Sequence, residues 1–523
     1  MLKKRGLSSF VIGIIAAVVL LAISWRPLPV FNLLIFIAVV PLLFLTQWLS
    51  ELRKFIWISS FITYFLVILL WQGLTVSWMG QVSNQIYLIA AALNPLHYAL
   101  PLSFVPLVWK KRGEVTGVLF FIVLFLTIEW IVQYSPLASP FFLLGYTLGD
   151  IPQVIQHYRW IGIEGGSLWI LSVNGIIYLM LRRGLSYSRV ITLILACFFL
   201  PISASLSIPS FDRTDLNVAM LHSQRNSYAK DAVKEPSKEM HSLLNNFRNC
   251  RSGVDLYILP ETSIVNFGWL HHVDDQSASR EARKFVDSTN STLIFGAIGF
   301  YPAGQKSKKA YVSCDEQEEF CYTTHNVSVN IGANKRTQLI SKELFIPFQE
   351  QIPLLQTFPW IENWIEHVGM RSLYSPMKNG VTSFNTSCGR LVSVLCYESI
   401  YPLFMSIRSK QVDGPTVILT NEKWMIGDIG VRQYNRTVTP LAIQTGKSII
   451  RCSNSGTSSV TLPNGEVIAF SSGENENVLT AAIPSTYKET FYLSISGAFY
   501  SISIIMVLLI IFFSIIKTKQ LSL

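Results

Sequence analysis

Long apolar runs toward the two ends of the chain enclose a long polar segment. Eight of these runs hold enough consecutive apolar residues to cross a bilayer core of about 30 Å as helices. They lie at residues 10–25, 28–49, 55–79, 87–109, 115–132, 163–181, 190–208 and 493–516. The pattern therefore predicts seven transmembrane helices within residues 1–209 and an eighth within residues 491–523.

Residues 210–490 follow a different pattern. Short apolar runs bounded by turn residues alternate there with helical patterns, and no run is long enough to span. The runs "DLYILP", "STLIFGAIGF", "LVSVLC" and "TVILT" are typical of strands, and "SKEMHSLLNNFRN" and "SREARKFVDS" of helices. We therefore expect an α/β domain whose central strands are buried on both faces.

Basic residues between the spans predict how the chain crosses the membrane, because Lys and Arg concentrate in short cytoplasmic loops. Thirteen basic residues share one side: Lys3, Lys4, Arg5, Arg53, Lys54, Lys110, Lys111, Arg112, Arg182, Arg183, Arg189, Lys517 and Lys519. The opposite short loops hold Arg26 and Arg159. We therefore expect both termini in the cytoplasm and residues 210–490 on the outer side.

This topology also explains the net charge of +10. The thirteen bases less Glu51 and Glu114 already give +11, so the rest of the chain sums to about −1. A nucleic-acid partner is therefore not expected. The 50% hydrophobic content and the mean hydropathy of +0.39 indicate a membrane protein instead.

Cysteine positions suggest one local crosslink. Cys197 lies within a predicted span, and the other six cysteines lie in the outer domain, where an oxidising compartment permits disulfides. Cys314 and Cys321 flank the acidic stretch "DEQEEF". We expect these two cysteines to form a disulfide that closes a short loop.

Three polar residues stand beside strand candidates, where catalytic groups of layered α/β domains collect. Glu261 follows "DLYILP", Lys342 precedes the strand candidate "ELFIPFQE", and Cys396 ends "LVSVL". A thiol with an ordinary pKa of about 8.5 needs a base or a nearby cation to react as a nucleophile. Glu261 could supply the base and Lys342 the cation, together with donors to an oxyanion beside the N–H of Tyr397.

Each of these residues also has a purely structural interpretation. A cysteine at a strand end is more often a small buried hydrophobe than a nucleophile. Glu261 alone would be a turn carboxylate, and Lys342 alone a solvated surface charge. Spacing by itself leaves both interpretations open.

The combination of motifs resembles a known family. The motifs are "PETS" at 260–263, "SKELFIPFQEQIP" at 341–353, "VLCYES" at 394–399, "TNEKW" at 420–424 and "RCSNSG" at 451–456. In order and separation they resemble the carbon-nitrogen hydrolase (nitrilase) superfamily, which implies an αββα sandwich. With the eight spans, and with "EW" at 129–130 followed by "SPFFLLGYTLGD", the chain resembles the apolipoprotein N-acyltransferases of Gram-negative bacteria.

The resemblance implies roles for individual residues. Glu261 is then the general base, Lys342 stabilises the tetrahedral intermediate, and Cys396 is the nucleophile that accepts the acyl group. Four further residues match positions that line the family's site: Glu350, Tyr397, Glu398 and Trp424. The chain departs from the family pattern at other positions, including Gln349, Met425, Gln444 and Ser455, which affects substrate-loop details rather than the triad.

Glu129 has two interpretations. A carboxylate within a predicted span is costly to bury and is by default a candidate functional residue, so we count it among the candidates that line the site. The alternative is that it lies near the outer end of its helix and is hydrated or paired there.

The resemblance implies a cofactor-free and metal-free acyl transfer on the periplasmic side of the bacterial inner membrane. The donor is a phospholipid, the carrier a Cys396 thioester, and the acceptor the α-amine of a diacylglyceryl-modified apolipoprotein cysteine. We expect a monomer. The alternatives are a membrane-tethered amidase that uses water as acceptor, and a transporter or scaffold, for which intramembrane charge pairs and repeated broken helices are not seen.

Overall fold

The computed structural model describes residues 7–81, 84–183, 187–206, 208, 215–225, 235–250, 252–303, 312–315, 320–354, 373–377, 381–423, 425, 428–473 and 475–519. The chain divides into two compact units. The helical unit comprises Met1–Ile208, Arg432–Pro440 and Thr490–Leu523. The sheet unit comprises Pro209–Val431 and Leu441–Glu489. Each unit is described by itself.

The helical unit contains the predicted apolar runs as helices. Their bounds are α1 Leu7–Ser24, α2 Pro29–Asn32, α3 Ile35–Ala38, α4 Val40–Ser50, α5 Ile56–Thr75, α6 Asn84–Leu102, α7 Val105–Arg112, α8 Glu114–Val132, α9 Tyr158–Arg183 and α10 Tyr187–Ser205. A C-terminal helix covers Phe491–Lys519. Prolines in the first turns of α2, α4 and α7 lack the N–H that would continue a preceding helix, so the second and fourth runs are each broken into shorter helices.

Six membrane-spanning candidates occur among the described residues: Leu7–Ser24, Pro29–Ser50, Ile56–Thr75, Ala91–Arg112, Glu114–Val132 and Tyr158–Arg183. The first six predicted spans are therefore confirmed as helices that are long and apolar enough to cross a membrane. The described apolar part of α10, Ile191–Ser205, is shorter than these six. The seventh and eighth spans therefore stay predictions.

Asn174 satisfies the backbone at a break in the second run. Its Oδ1 accepts the N–H of Val39 at 2.9 Å, and its Nδ2 donates to the carbonyl of Ile35 at 2.9 Å. Unpaired backbone groups are costly within a bilayer core, so a break in a spanning helix needs such a partner. One buried amide on α9 thus permits the short helices α3 and α4.

The sheet unit consists of strands in two sheets with flanking helices. The strands are β1 Leu216–His222, β2 Leu256–Ile258, β3 Thr292–Pro302, β4 Val312–Asp315, β5 Phe320–Gly332, β6 Gln338–Ser341, β7 Phe384–Thr386, β8 Gly389–Leu395, β9 Thr416–Asn421, β10 Ile449–Asn454, β11 Thr457–Thr461, β12 Val467–Ser472 and β13 Asn477–Ile483. The helices of this unit are α11 Pro236–Asn245, α12 Ser277–Thr289 and α13 Pro402–Lys410, and two further helices, α14 Asp428–Asn435 and α15 Val438–Thr445, each include residues of both units.

The strands before Glu261 and Cys396, β2 and β8, each lie between two neighbouring strands of their sheet, whereas β6 before Lys342 pairs with β5 outside the main strand order. The first sheet has the order β13-β1-β2-β3-β5-β4, with β6 also paired to β5, and the second has the order β12-β11-β10-β9-β8-β7. Strands β1, β2 and β3 are parallel, as are β8, β9 and β10. Parallel central strands place their carboxyl ends at one edge of a sheet.

Two apolar layers hold this unit together. Ile258 of the first sheet packs in one cluster with Val417, Leu419 and Ile450 of the second, so the inner faces of the sheets contact each other. Helices α11 and α12 cover the outer face of the first sheet through a second cluster. The α/β domain with central strands buried on both faces is thereby confirmed.

One predicted strand is wrong. The stretch "ELFIPFQE" forms a loop with turns at 348–350, and Lys342 follows β6 rather than preceding a strand. Phe348 has a left-handed φ of 63°, which a strand does not permit. Phe345 and Ile346 are buried although they belong to no strand, and Phe345 packs against Ile298 of β3 and against Tyr374.

Strands β4 and β5 contain the two cysteines of the predicted disulfide. Their antiparallel register places Cys314 opposite Cys321, and Cys321 is disulfide-bonded. The side chain of Cys314 lies outside the described residues. The Cys314–Cys321 pairing therefore stays a prediction.

Candidate active site

Glu261 stands on a loop that runs beside the middle of strand β3. Strand β2 ends at Ile258, and the next residues run so close to β3 that a Cβ on Gly296 would lie 2.5 Å from the Glu261 Cα. Only glycine at position 296 allows this approach. Thr262 adopts a left-handed φ of 54°, which turns the chain directly after the carboxylate. The Glu261 side chain is thereby held, buried, above the first sheet.

Lys342 carries the buried cation of the site. It follows β6, and its Nζ donates to Glu261 Oε1 at 3.1 Å and to Glu350 Oε1 at 2.7 Å. Its side chain is fully buried. Burial lowers the pKa of Lys342, but the carboxylates of Glu261 and Glu350 outweigh burial and hold this pKa well above its usual range. The ammonium therefore stays charged at neutral pH.

Glu350 is the second acid on this cation. Its Oε2 accepts the N–H of Ile346 at 2.8 Å, so a tight turn in the loop fixes the carboxylate. Burial raises the pKa of Glu350, and the charge of Lys342 opposes that shift. Glu350 therefore holds the Lys342 ammonium, and its role as a residue that lines the site stays a prediction.

Cys396 lies at the turn from β8 into a short 3₁₀ helix, Cys396–Ile400. Its φ of 45° is left-handed, which is uncommon for a residue with a side chain and often marks a functional position. Burial raises the pKa of the Cys396 thiol, Glu261 raises it further, and Lys342 lowers it. The thiol therefore lies within electrostatic reach of both Glu261 and Lys342, and it needs a base in order to react.

Glu398 connects the backbone before Cys396 to the backbone after Lys342. Its Oε2 accepts the N–H of Leu395 at 2.9 Å, and its Oε1 accepts those of Glu343 at 2.6 Å and Leu344 at 3.2 Å. Burial raises the pKa of Glu398 to about 7, although these three hydrogen bonds favour the carboxylate. By connecting the backbones next to Cys396 and Lys342, Glu398 stabilises the position of these two residues relative to each other.

Asn326 is a site residue that the sequence reasoning missed. From β5 its Nδ2 donates to Glu261 Oε1 at 2.8 Å, and its carbonyl accepts the N–H of Lys342 at 2.9 Å. The available signal was the alternation in "HNVSVN", where Asn326, Ser328 and Asn330 form a buried polar row on one face of a strand. Polar residues on an inward strand face require partners, and the partner here is the Glu261 carboxylate.

The remaining candidates are placed differently. Tyr397 is half-buried and packs edge-on against Tyr401 with ring centroids 5.4 Å apart. Trp424 lies outside the described residues. Glu129 belongs to the helical unit, where it is buried and its Oε1 accepts the N–H of Leu144 at 2.8 Å. Glu129 is thus buried and paired near the end of its helix, and its place among the residues that line the site stays a prediction.

Of the departures from the family pattern, Gln444 has a clear partner. Its Nε2 donates to Ser406 Oγ at 2.8 Å and to the carbonyl of Pro402 at 3.3 Å, so it joins α15 to α13. Ser455 has a left-handed φ of 61° and donates its hydroxyl to Gln224 at 3.0 Å. The hydrogen bonds of these two side chains thus join elements of the sheet unit.

The site thus combines a thiol, a carboxylate and a permanent cation in one buried place. The carboxylate can accept the thiol proton, and the cation can stabilise an oxyanion that forms on an attacked carbonyl. Such an arrangement supports nucleophilic acyl transfer through a thioester.

Comparison with known proteins gives the family. A model described as "Carbon-nitrogen hydrolase" matches residues 224–492, and one described as "Apolipoprotein N-acyltransferase N-terminal domain" matches residues 17–176. The apolipoprotein N-acyltransferase of Chlorobaculum tepidum is 22% identical over 90% of this chain and 90% of its own length. That of Rickettsia prowazekii is 23% identical over 75% of each chain.

A solved structure is also similar to part of the chain. The Nit3 protein of Saccharomyces cerevisiae, a member of branch 10 of the nitrilase superfamily, is 12% identical and covers 53% of this chain and 94% of its own, with a TM-score of 0.36. The sequence matches, which cover both units, decide the assignment. The chain belongs to the carbon-nitrogen hydrolase family, and within it to the apolipoprotein N-acyltransferases.

Proposed function

We propose that this membrane protein is an apolipoprotein N-acyltransferase that works through a thioester on Cys396. The observation that carries the mechanism is the bridge made by Lys342 between Glu261 and Glu350, with Cys396 in electrostatic reach of all three. A buried, charged lysine beside a thiol is suited to an acyl intermediate with a negative oxygen. The family match supplies the substrates, a phospholipid donor and a lipoprotein acceptor.

In the first half-reaction the thiol attacks the donor ester. Glu261 accepts the thiol proton as the Cys396 sulfur bonds to the acyl carbon. Lys342 stabilises the tetrahedral oxyanion together with the N–H of Tyr397. The ester C–O bond then breaks, Glu261 returns the proton to the leaving oxygen, and lysophospholipid departs from the thioester.

In the second half-reaction an amine takes the acyl group. The α-amine of the diacylglyceryl cysteine reaches the site as an ammonium and loses one proton to solvent before attack. Glu261 accepts a second proton as the amide bond forms and passes it to the departing Cys396 sulfur, which restores the thiol. The burial of Cys396 and Lys342 limits the access of water that would hydrolyse the thioester.

We further propose the membrane arrangement that this chemistry requires. The chain crosses the bacterial inner membrane eight times, with seven spans in residues 1–209 and one in residues 491–523, and acts as a monomer. Residues 210–490 lie on the periplasmic side and both termini in the cytoplasm, in accord with the distribution of Lys and Arg. A reporter inserted at the exposed turn Ser252–Gly253 should report the periplasm, and a cytoplasmic signal would contradict this arrangement.

Acyl transfer and hydrolysis are distinguished by product. We expect the purified protein, reconstituted with phospholipid labelled in one acyl chain, to N-acylate a synthetic peptide that begins with diacylglyceryl cysteine. The same peptide with an acetylated α-amine is the matched control and should accept no label. Labelled free fatty acid as the main product, formed equally with both peptides, would favour the amidase-type use of water.

A further inference from the structure

Asn421 contacts both halves of the proposed site. It is the last residue of β9, and its backbone forms a hydrogen bond with Cys396. Its side-chain Nδ2 donates to Thr262 Oγ1 at 2.7 Å. Thr262 directly follows Glu261, so one residue of the second sheet joins the cysteine to the loop of the proposed base.

The Asn421–Thr262 contact crosses from one sheet to the other. Thr262 continues the loop that leaves β2 of the first sheet, whereas Asn421 ends a strand of the second. Both side chains are almost fully buried, so the hydrogen bond is shielded from water. A shielded bond between two short side chains tolerates little variation in distance, and it therefore sets the separation of the two strand ends.

A buried ion pair fixes the residue that follows Asn421. Glu422 and Arg451 pair with both side chains fully buried. Glu422 Oε1 also accepts the hydroxyls of Thr420 at 2.9 Å and Ser453 at 3.1 Å. Breaking such a pair leaves an uncompensated charge in the core, so the end of β9 has little freedom to move.

The ion pair also explains a glycine in the neighbouring turn. Gly456 has a φ of +76°, and a Cβ at this position would lie 2.1 Å from Glu422 Oε2. The turn between β10 and β11 therefore approaches the carboxylate closely. The Glu422 side chain is thus confined by its hydrogen bonds to the strands and by this turn. The backbone of the preceding residue, Asn421, is confined with it, and its side chain contacts Thr262.

We propose that Asn421 is a positioning residue that sets the distance and orientation between the Cys396 thiol and the Glu261 carboxylate through its hydrogen bond to Thr262. The proposal rests on the proposed function, because it assigns Cys396 and Glu261 as the reacting pair. It predicts that the Thr262 hydroxyl matters for the rate of acylation and for the ionisation of the thiol, but not for phospholipid binding.

The test uses the full-length protein and removes the hydroxyl with little change of shape. Thr262→Val deletes it, and Thr262→Ser restores it without the methyl group. Thr292→Val is the matched control, because it deletes a buried threonine hydroxyl that contacts Ser387, outside the site. Two quantities are measured: acyl-enzyme formation against phospholipid concentration, and the pH dependence of iodoacetamide alkylation at Cys396, read by peptide mass spectrometry.

We expect Thr262→Val to lower the maximal acylation rate by about tenfold, which corresponds to about 1.4 kcal/mol, one ordinary hydrogen bond. Its half-saturating phospholipid concentration should stay unchanged. The pH midpoint of alkylation should fall, because Glu261 raises the pKa of the Cys396 thiol and moves away from it when the Thr262 hydrogen bond is lost. Thr262→Ser and Thr292→Val should stay within about twofold of wild type. Thermal unfolding of each variant verifies that it is folded.

Three outcomes would overturn the proposal: folded Thr262→Val with wild-type rate and pH midpoint, Thr262→Ser as impaired as Thr262→Val, or Thr292→Val equally impaired. Failure of the proposed function looks different. In that case wild-type protein forms no acyl-enzyme, while the alkylation profile still tests the positioning of Cys396 by Asn421.

Discussion

Lys342 Nζ donates to Glu261 Oε1 at 3.1 Å, and both side chains are almost fully buried. The same ammonium contacts Glu350 at 2.7 Å. A lysine held by two carboxylates has a fixed position and a permanent charge, so it is ready for an oxyanion before substrate binds. The carboxylates are in turn kept from repelling each other by the lysine between them.

Lys342→Met should abolish acyl-enzyme formation. Methionine keeps the approximate length of the side chain, but it removes the charge opposite the oxyanion, a loss of about 3 kcal/mol or more, or at least 100-fold in rate. It also leaves two buried carboxylates without a cation, which should lower the free energy of unfolding by about 3–5 kcal/mol. Single-turnover acylation and thermal unfolding measure the two effects.

The exposed Lys335 provides the control for Lys342. Lys335→Met makes the same chemical change outside the site and should alter neither rate nor stability by more than about 0.5 kcal/mol. Equal losses in the two variants, or near wild-type acylation by Lys342→Met, would contradict the role assigned to the buried ammonium.

Gly296→Ala should displace the proposed base without altering any hydrogen-bonding group. The new Cβ would lie 2.5 Å from the Glu261 Cα and 2.9 Å from the Pro260 carbonyl, so the loop must move. We expect acylation to fall about tenfold or more, because a displacement on the order of 1 Å disrupts a catalytic geometry. Acyl-enzyme formation by the folded variant at the wild-type rate would show that the close approach of the Glu261 loop to β3 is not required.

Gly299→Ala is the matched change on the same strand. Its Cβ would lie 2.5 Å from the Leu270 side chain, away from Glu261. Overpacking there should cost about 1–3 kcal/mol of stability and leave the acylation rate of the folded protein unchanged. A similar loss of rate in both variants would indicate general damage to β3.

The sequence predicts the helices and the central strands well because their apolar periodicities are long and uninterrupted. It fails at "ELFIPFQE", where an apolar run is buried as a loop rather than as a strand. Periodicity cannot distinguish these cases, since what fixes the loop is polar: Glu350 accepts the N–H of Ile346, and Glu398 accepts those of Glu343 and Leu344. The Glu350 contact lies within one turn of the chain, and the Glu398 contacts join residues distant in sequence.

Glu398 should make stability depend on pH. Its folded pKa of about 7 lies above the ordinary 4.5, so between these values the folded state holds the proton more tightly than the unfolded chain. The resulting contribution, on the order of 3 kcal/mol, is present below pH 4.5 and lost as pH rises through 7. Thermal unfolding midpoints between pH 5 and 8 measure this loss.

Glu398→Gln removes the titrating group and should flatten the pH dependence of stability in that window. It should also slow acylation, because an amide nitrogen cannot accept the backbone N–H groups that the carboxylate joins. An unchanged pH slope in Glu398→Gln would show that another group carries the titration.

The helical unit offers a stability prediction that the sequence did not suggest. Arg436 is buried, with Nε 2.7 Å from Asp150 Oδ2, whereas the Asp150 side chain is 23% exposed. Asp150→Asn leaves a buried charge unpaired and should cost about 3–5 kcal/mol. Arg436→Met leaves a carboxylate that water reaches and should cost less, and the double variant should regain part of the loss.

Thermal unfolding in detergent measures this asymmetry, with Arg432→Gln as the control at an exposed arginine of the same segment. Equal losses from Asp150→Asn and Arg436→Met would contradict the unequal burial of the pair. A loss in Arg432→Gln as large as in Arg436→Met would assign the effect to the segment rather than to the ion pair.

Within the site, the sequence located Glu261, Lys342 and Cys396 through their motifs, and the structure brings these side chains together. It did not locate Asn326, whose amide donates to Glu261, or Asn421, whose amide donates to Thr262. Each amide lies on a strand that pattern reasoning identifies only as buried. The function of each amide depends on the loop that lies opposite it in the fold. The packing of the two sheets determines which loop this is.

The most direct measurement is the mass of the peptide that contains Cys396 after the protein has been incubated with phospholipid and no acceptor. We expect the mass of one acyl chain on Cys396, removed by neutral hydroxylamine as a thioester is. Cys396→Ala should carry no acyl chain and transfer none to a lipoprotein amine, whereas Cys452→Ala, at a buried thiol in the sheet core, should still be acylated. Acylation at another residue, or transfer by Cys396→Ala at a near wild-type rate, would contradict the mechanism.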